Sequence, residues 1–301
     1  MKDLISLADY DAEGLYELLE LAKHLKREHK AGLQHTVLAG KTLAMVFQKP
    51  SLRTRVSFEV GMTQLGGTAL YLGPDDIKLG QRETTEDIAL VLSGYADGIM
   101  ARVFRHEDIG ALAQHAGVPV INGLSDHCHP CQILGDLLTI WEKKRTLEGL
   151  KLVFVGDGNN VAHSWLNAAP QLGIELTVAC PEGYDPDEHV QAFAQRFGPK
   201  VSVSHDPQTA VIGADVVYTD VWASMGQEAE AQQRQQRFEG FQLNADLVGR
   251  ARPGCLVMHC LPAHYGEEIS YEVAHSEHSV IYDEAENRLH AQKAVLATLM
   301  T

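Results

Sequence analysis

Between residues 12 and 29 the apolar positions Leu15, Leu18, Leu19, Ala22 and Leu25 recur among charged residues. That spacing predicts an amphipathic helix. The pattern then changes. Thr42 to Phe47 (TLAMVF) is a short unbroken apolar run, which suits a buried strand. Val56 to Leu65 is read as a helix stopped by Gly66-Gly67, and Thr68 to Leu72 as a second strand. The alternation continues with a helix over Thr84–Gly94, a strand over Gly98–Val103, a helix over His106–Gly117 and a strand over Val118–Asn122. A long helical pattern runs from about Pro130 to Lys144, and Gly149 ends it. A second series follows: strand Lys151–Val155, helix Val161–Leu172, and strands Glu175–Cys180, Val201–Ser204, Asp215–Thr219 and Cys255–His259. The last helix is expected from about Glu286 to Leu299. Strands alternating with helices predict parallel sheets covered by helices. The expected fold is therefore α/β: two α/β domains, each with a mainly parallel sheet flanked by helices. They join near residues 130–148, and the C-terminal helix packs back on the N-terminal domain.

Composition narrows the class. Hydrophobic residues make up 45% of the 301, enough for real cores. The formal charge is -15, which disfavours nucleic acid and anionic membrane surfaces as partners. An anionic substrate would then need a local attraction working against the global field. The N-terminal stretch lacks the pattern of a signal peptide, and no apolar run has transmembrane length. Five cysteines (Cys128, Cys131, Cys180, Cys255 and Cys260) are an odd, sparse set, unlike a disulfide framework. A soluble cytoplasmic protein is the expectation.

Against that acidic background the stretch FQKPSLRTR, residues 47–55, stands out. A strand ends at Phe47, Pro50 breaks it, and a helix begins on Ser51, Leu52, Arg53, Thr54 and Arg55. A helix N-terminus offers free N–H groups and the positive end of a dipole. Hydroxyls and a guanidinium added there make a site suited to phosphate. The plainer reading is an N-cap serine beside surface arginines. The stretch is not a Walker A loop, which needs GxxxxGK[ST]. In HCHPCQ, Cys128 and Cys131 form a C-x-x-C, a redox or half-zinc pattern. No second pair follows, and a strand-end loop delivering His129 and Gln132 into a cleft is the better reading. GDGNN, residues 156–160, follows a strand as a dinucleotide fingerprint does, yet the third glycine position holds Val161 and no acid for a ribose ends the next strand. Two further strand-end loops are DVWASMGQE from Asp220 and MHCLPAH from Met258. Asp220 as an ordinary N-cap and Cys260 as a small core residue are the plain alternatives. Their shared place, past strand carboxyl ends, is where open α/β sheets bind ligands.

SLRTR, HPCQ, GDGNN, DVWASMGQE and HCLPAH occur in one order across essentially the whole chain, through the final ENRLHAQKAV. As an ordered set they resemble the ornithine carbamoyltransferases. HPCQ, HCLP and D-x-x-x-SMG separate that branch from the aspartate carbamoyltransferases. The resemblance implies a carbamoyl-phosphate domain over 1–135 plus the helix at about 286–301, and an ornithine domain over 136–285. It implies transfer of the carbamoyl group to the δ-amine of L-ornithine, giving L-citrulline and phosphate. No metal or organic cofactor is implied, and a homotrimer or an assembly of trimers is.

Carried over by motif, Ser51, Arg53 and Thr54 would bind phosphate, and Arg102 would span phosphate and carbonyl. His129, Gln132 and Arg288 would hold the carbamoyl group. Asn160, Asp220, Ser224 and the Met225 backbone would hold the α-groups of ornithine. Cys260 and the Leu261 carbonyl would face the δ-amine, with Leu261–Pro262 cis. Two positions depart from the pattern. Leu52 replaces a threonine, with little effect expected. Lys78 resembles the aspartate branch, and a reach into a neighbouring subunit is open for it. The SMG loop, with Gly226 as hinge, would close over the amino acid. The rivals are transfer to putrescine or an N-acylated ornithine, a nucleotide-binding oxidoreductase, and a silent homologue. An N-acyl substrate has no α-ammonium, so Asp220 speaks for ornithine.

Overall fold

The computed structural model describes residues 2–80, 82–198, 200–223 and 228–301. The chain divides into two compact units, Met1–Leu138 with Glu286–Thr301, and Thr139–Ala285.

In the first unit four strands, β1 (Thr42–Phe47), β2 (Thr68–Leu72), β3 (Gly98–Arg102) and β4 (Val120–Leu124), form a parallel sheet in the order β2-β1-β3-β4. The helices are α1 (Ala12–Lys30), α2 (Leu52–Gln64), α3 (Pro74–Ile77), α4 (Thr85–Ser93), α5 (His106–His115) and α6 (Pro130–Lys144), which runs past the unit boundary. One core of Val46, Ile88, Ile99, Ala101, Ile109, Leu112 and Val120 lies where α4 and α5 meet the sheet. The central strands are buried on both faces, as parallel sheets require, and therefore read as continuous apolar runs.

The second unit holds β5 (Lys151–Val155), β6 (Glu175–Ala179), β7 (Val201–Ser204), β8 (Val216–Thr219) and β9 (Leu256–His259). They form a parallel sheet in the order β7-β6-β5-β8-β9. The order reverses direction at β5, so the ends of β5 and β8 flank a topological switch point, where such sheets take ligands. Its helices are α7 (Asn160–Ala168), α8 (Glu188–Gln195), α9 (Pro207–Ala210), α10 (Ala231–Arg237), α11 (Ala245–Val248) and α12 (Tyr271–Ala274). The last helix, α13 (Ile281–Met300), begins in this unit and continues into the first. There it packs on α2 and β3: a Cβ at Gly61 would touch Leu296 and Lys293, and one at Gly98 would meet Met300.

The two-domain α/β expectation holds, with local differences. β4 starts two residues late because Pro119 has no N–H for the ladder; its carbonyl accepts from Ile99 instead. Pro170 ends the helix expected through Leu172, and a 3-10 turn Pro170–Leu172 follows α7. α13 starts five residues early. The helix α8 was not foreseen; Asp187 caps it, and Val190 and Ala194, four apart, bury its inner face. No helix of the described residues is long and apolar enough to cross a membrane.

Candidate active site

The first unit gathers cations at the carboxyl end of its sheet. Ser51 is the N-cap of α2, and its Oγ accepts from the Thr54 N–H at 3.2 Å. That capping is what the plainer reading expected. Just before the cap the chain is tied to β3, since Phe47 pairs with Arg102 and the Gln48 N–H donates to the Arg102 carbonyl at 2.9 Å. Thr54, Arg102, His129, Gln132 and Arg288 are all buried. Arg288 ties three helices together. It donates to Gln132 Oε1 at 2.7 Å and to Thr54 Oγ1 at 3.3 Å. With its amide turned to suit both neighbours, Gln292 accepts from the same guanidinium at 2.7 Å and donates to Ser57 Oγ. Gln132 in turn donates to Asp136 at 2.8 Å. Gly135 permits this seat, because a Cβ there would stand 3.2 Å from the Arg288 backbone nitrogen and side chain.

The field in this cluster is strongly positive. Burial first, then Arg288, Arg102, Lys49 and Arg53, hold the His129 imidazole well below its ordinary pKa, so it is neutral near pH 7. Lys49 is pushed down to about 8, by burial and then by Arg102, with Asp126 pulling the other way. Arg55 is different. It is exposed, 3.2 Å from Glu59 and stacked over Tyr71, an ordinary surface charge. The cluster thus offers guanidinium, ammonium, hydroxyl and helix-end N–H groups, a donor set matched to a phosphoryl oxyanion.

The second unit builds an acidic and thiol-bearing cluster past β5, β8 and β9. Asp220 is buried at the end of β8. Its Oδ1 accepts from the Cys260 thiol at 2.9 Å and from the Val221 N–H at 2.8 Å, and its Oδ2 from Asn159 Nδ2 at 2.8 Å. Asn159 also caps α7, which places Asn160 on the first helical turn. Gly158 lets the next loop pass directly over this turn, since a Cβ would stand 2.3 Å from the Pro186 nitrogen. The loop after β9 is held from beneath. His259 Nδ1 accepts from the Leu261 N–H at 2.8 Å, so the ring proton sits on Nε2, which donates to Glu268 at 2.9 Å. The same Glu268 oxygen accepts from the His264 N–H at 2.6 Å. Both His259 and Glu268 are fully buried. The Leu261–Pro262 bond is cis, as the resemblance implied.

Two family models match the chain end to end. Residues 2–142 match the carbamoyl-P binding domain of aspartate/ornithine carbamoyltransferases, and residues 148–299 match the Asp/Orn binding domain. The chain belongs to the aspartate/ornithine carbamoyltransferase family. It is 58% identical to the ornithine carbamoyltransferase of Pyrococcus abyssi, over 99% of this chain and 96% of that one. The solved ornithine carbamoyltransferase of Pyrococcus furiosus superposes with a TM-score of 0.97 at 58% identity, covering 99% and 97% of the two chains. An acetylornithine transcarbamylase, solved with acetylcitrulline, superposes at 0.89 with 32% identity and full coverage of both chains.

Of the positions marked by their resemblance to carbamoyltransferases, Ser51, Thr54, Gln132 and Arg288 share one cluster in the first unit, with Arg53, Arg102 and His129 coupled to it electrostatically. Asp220 and Cys260 meet in the second, with Leu261 beside Cys260 and Asn160 beside the Asp220-bound Asn159. Ser224, Met225 and Gly226 lie outside the described residues. Lys78 is exposed past the short helix α3, in the left-handed region at φ 46. Leu52 is 74% exposed.

Sequence reasoning missed four residues that build the two clusters. Lys49 stands inside the quoted stretch, and its place just past β1 was the available signal. Glu268 and the bridging role of His259 gave no local sign. Arg234, fourteen residues past Asp220 in a polar stretch, donates to Asp157 at 2.7 Å and to the Trp222 carbonyl at 2.8 Å. It thereby ties the GDGNN turn to the base of the loop after β8. Burial raises the Asp157 pKa, and Arg234 opposes that shift. The C-x-x-C reading also resolves. Cys128 and Cys131 are free and buried, with thiols pushed up to about 12 by burial. Cys131 donates to the Asn122 carbonyl and Cys128 to that of Ile5. Neither has the thiolate character that redox chemistry needs.

Proposed function

We propose that this chain transfers the carbamoyl group of carbamoyl phosphate to the δ-amine of L-ornithine, giving L-citrulline and phosphate. The observation that carries the reading is the 58% identity, over 99% of the chain, to proteins named ornithine carbamoyltransferase. The chemistry of the two clusters supports it. The cation cluster suits carbamoyl phosphate, and Asp220 suits the α-ammonium that an N-acyl substrate lacks.

In this reading the amine nitrogen attacks the carbamoyl carbon and loses a proton. The C–N bond forms, the carbon–oxygen bond to phosphate breaks, and phosphate leaves with that electron pair. Thr54, Arg102 and neutral His129 donate to the carbonyl oxygen as it gains charge, with Gln132 and Arg288 holding the carbamoyl group. Removing one such donor costs on the order of 100–1000-fold in turnover. Ser51, Arg53 and the α2 N-terminus take the leaving phosphate, whose charge Lys49 helps to offset. Asn160, Asp220, Ser224 and the Met225 backbone orient the α-groups, while Cys260 and the Leu261 carbonyl orient the δ-amine. An alkyl amine with a pKa of about 10.4 is neutral in only a few molecules per ten thousand at pH 7, a handicap of about 4–5 kcal/mol. The rate therefore rises with pH until another group titrates.

The test is ureido-product formation from carbamoyl phosphate with L-ornithine, N-acetylornithine, putrescine and L-aspartate side by side. Turnover with ornithine alone is expected. Preference for another amine would keep the phosphate site and overturn the ornithine assignment. We also infer a homotrimer or an assembly of trimers. Leu52, Val56, Leu90, Val91 and Tyr95 leave large apolar surface exposed on the first unit, as an interface requires. Analytical ultracentrifugation giving a monomer would contradict it.

A further inference from the structure

Away from both clusters, three groups of different ligand chemistry meet at the β6–β7 side of the five-stranded sheet. Cys180 directly follows β6, His205 directly follows β7, and Asp185 lies in the loop after β6. The Cys180 sulfur, an Asp185 carboxylate oxygen and a His205 ring nitrogen all lie within 4.8 Å of one another. The proposed carbamoyl transfer uses none of them.

The histidine is set as a ligand. Its Nδ1 stands 2.9 Å from the Cys180 carbonyl, which can only accept, so Nδ1 is the donor and in the neutral ring Nε2 carries the lone pair. A backbone carbonyl holding the distal ring N–H is the support that metal-bound histidines generally receive. Nε2 faces Asp185 Oδ1 at 3.7 Å, beyond hydrogen-bond range. A tetrahedral ion with bonds of about 2.1 Å would hold such a nitrogen and oxygen roughly 3.4 Å apart, so a small contraction suffices. Burial first, then the Asp185 and Asp157 carboxylates, push the Cys180 thiol up to about 12. The two carboxylates favour a cation while burial opposes the thiolate, so a bound ion must displace that proton and binds more tightly as pH rises. The His205 and Asp185 side chains are 43% and 40% exposed, which leaves a way in and room for water as a fourth ligand.

We propose that Cys180, Asp185 and His205 form a site for a thiophilic divalent cation, with the S, N and O donor set of Zn2+. The ion would pin the loop from Pro181 to Asp187 across its base. Within that loop the Tyr184 carbonyl accepts from the Gly158 N–H at 2.9 Å, and the backbone at 185–186 lies on Gly158. An ion here would therefore brace the GDGNN turn from outside.

The experiment titrates chelator-stripped full-length protein with Co2+, a coloured stand-in for Zn2+, and follows the near-ultraviolet band of a sulfur–cobalt bond. Asp220, His259 and Cys260 also lie within 4.8 Å of one another, so Cys260→Ser serves as the control. One equivalent of sulfur-bound Co2+ is expected to vanish in Cys180→Ser and to survive in Cys260→Ser. His205→Ala should weaken Co2+ at that site more than tenfold. This change is at the surface, so it keeps the test valid if the buried cysteine variant fails to fold. No sulfur–cobalt band in the unaltered protein would overturn the proposal. So would a band untouched by the Cys180 and His205 changes, or one lost only with Cys260.

Discussion

The two clusters solve opposite electrostatic problems with opposite materials. In the first unit the polar groups are cations, gathered in a chain of net charge -15 and braced by side chains from α2, α6 and α13. In the second they are a carboxylate, a thiol and an amide on loops past strand ends, braced mainly by backbone N–H groups and one buried His–Glu pair. A phosphate carries much charge and little shape, so fixed cations serve it. An amino acid carries both charges on a flexible frame, so its site needs placed acceptors and donors in loops. The first cluster concentrates charge that its surroundings resist, as the depressed Lys49 and His129 show. The second conserves geometry.

If that contrast is right, damage to each cluster has its own signature. The largest effect is expected from Arg53→Ala: loss of a charge-paired phosphate contact costs about 2–5 kcal/mol, so the KM for carbamoyl phosphate should rise on the order of 100–1000-fold, with the KM for ornithine changed far less. Steady-state kinetics with each substrate varied would read the split, and equal losses on both would break the contrast. Next comes Asp220→Asn, which removes the charge we propose faces the α-ammonium. Truncating one partner of a buried charge pair costs about 2–5 kcal/mol, so the KM for ornithine should rise on the order of 100-fold while carbamoyl phosphate binds as before.

Lys49 sharpens the comparison through pH. Its folded pKa of about 8 lies below the ordinary 10.5. Below pH 8 it is charged in folded and unfolded chains alike, so the cost to stability is full there, and it fades as pH rises from 8 to 10.5. Substrate binding runs the other way, because a bound phosphate favours the charged lysine. The KM for carbamoyl phosphate should therefore rise above about pH 8, and Lys49→Met should flatten that limb while raising KM severalfold at pH 7. A limb unchanged in the variant would remove Lys49 from the site. His129, already neutral, should add no titration to the profile between pH 6 and 8. The smallest effect is expected from Cys260→Ser, a severalfold rise in ornithine KM with turnover retained. A rapid-quench burst of acyl-enzyme in the unaltered protein, absent from the variant, would instead make Cys260 a nucleophile.

The same contrast explains what was legible in the sequence. The central parallel strands were readable because burial on both faces makes them nearly continuous apolar runs such as TLAMVF and KLVFV. The cation cluster showed itself in SLRTR because three of its groups sit on one helical turn. Its keystone, Arg288, lies more than two hundred residues away and was reached only through family resemblance. Lys49 was visible and passed over, since a lysine before a proline resembles any loop charge. Arg234 and Glu268 act by long-range hydrogen bonds that leave no periodicity or spacing. The short helices α9 to α12 were likewise invisible, since four to seven residues hold too few turns for a pattern. Asp187 before EHVQAFAQ was a usable cap signal for α8 that went unread.

The measurement that tests the separation of the two clusters most directly is calorimetric titration of carbamoyl phosphate into the unaltered protein, Asp220→Asn and Arg53→Ala. Near-equal affinity in the first two, with binding lost in the third, is the expected result. Carbamoyl phosphate binding abolished by Asp220→Asn, or left intact by Arg53→Ala, would contradict the assignment of phosphate to the first cluster and the amino acid to the second.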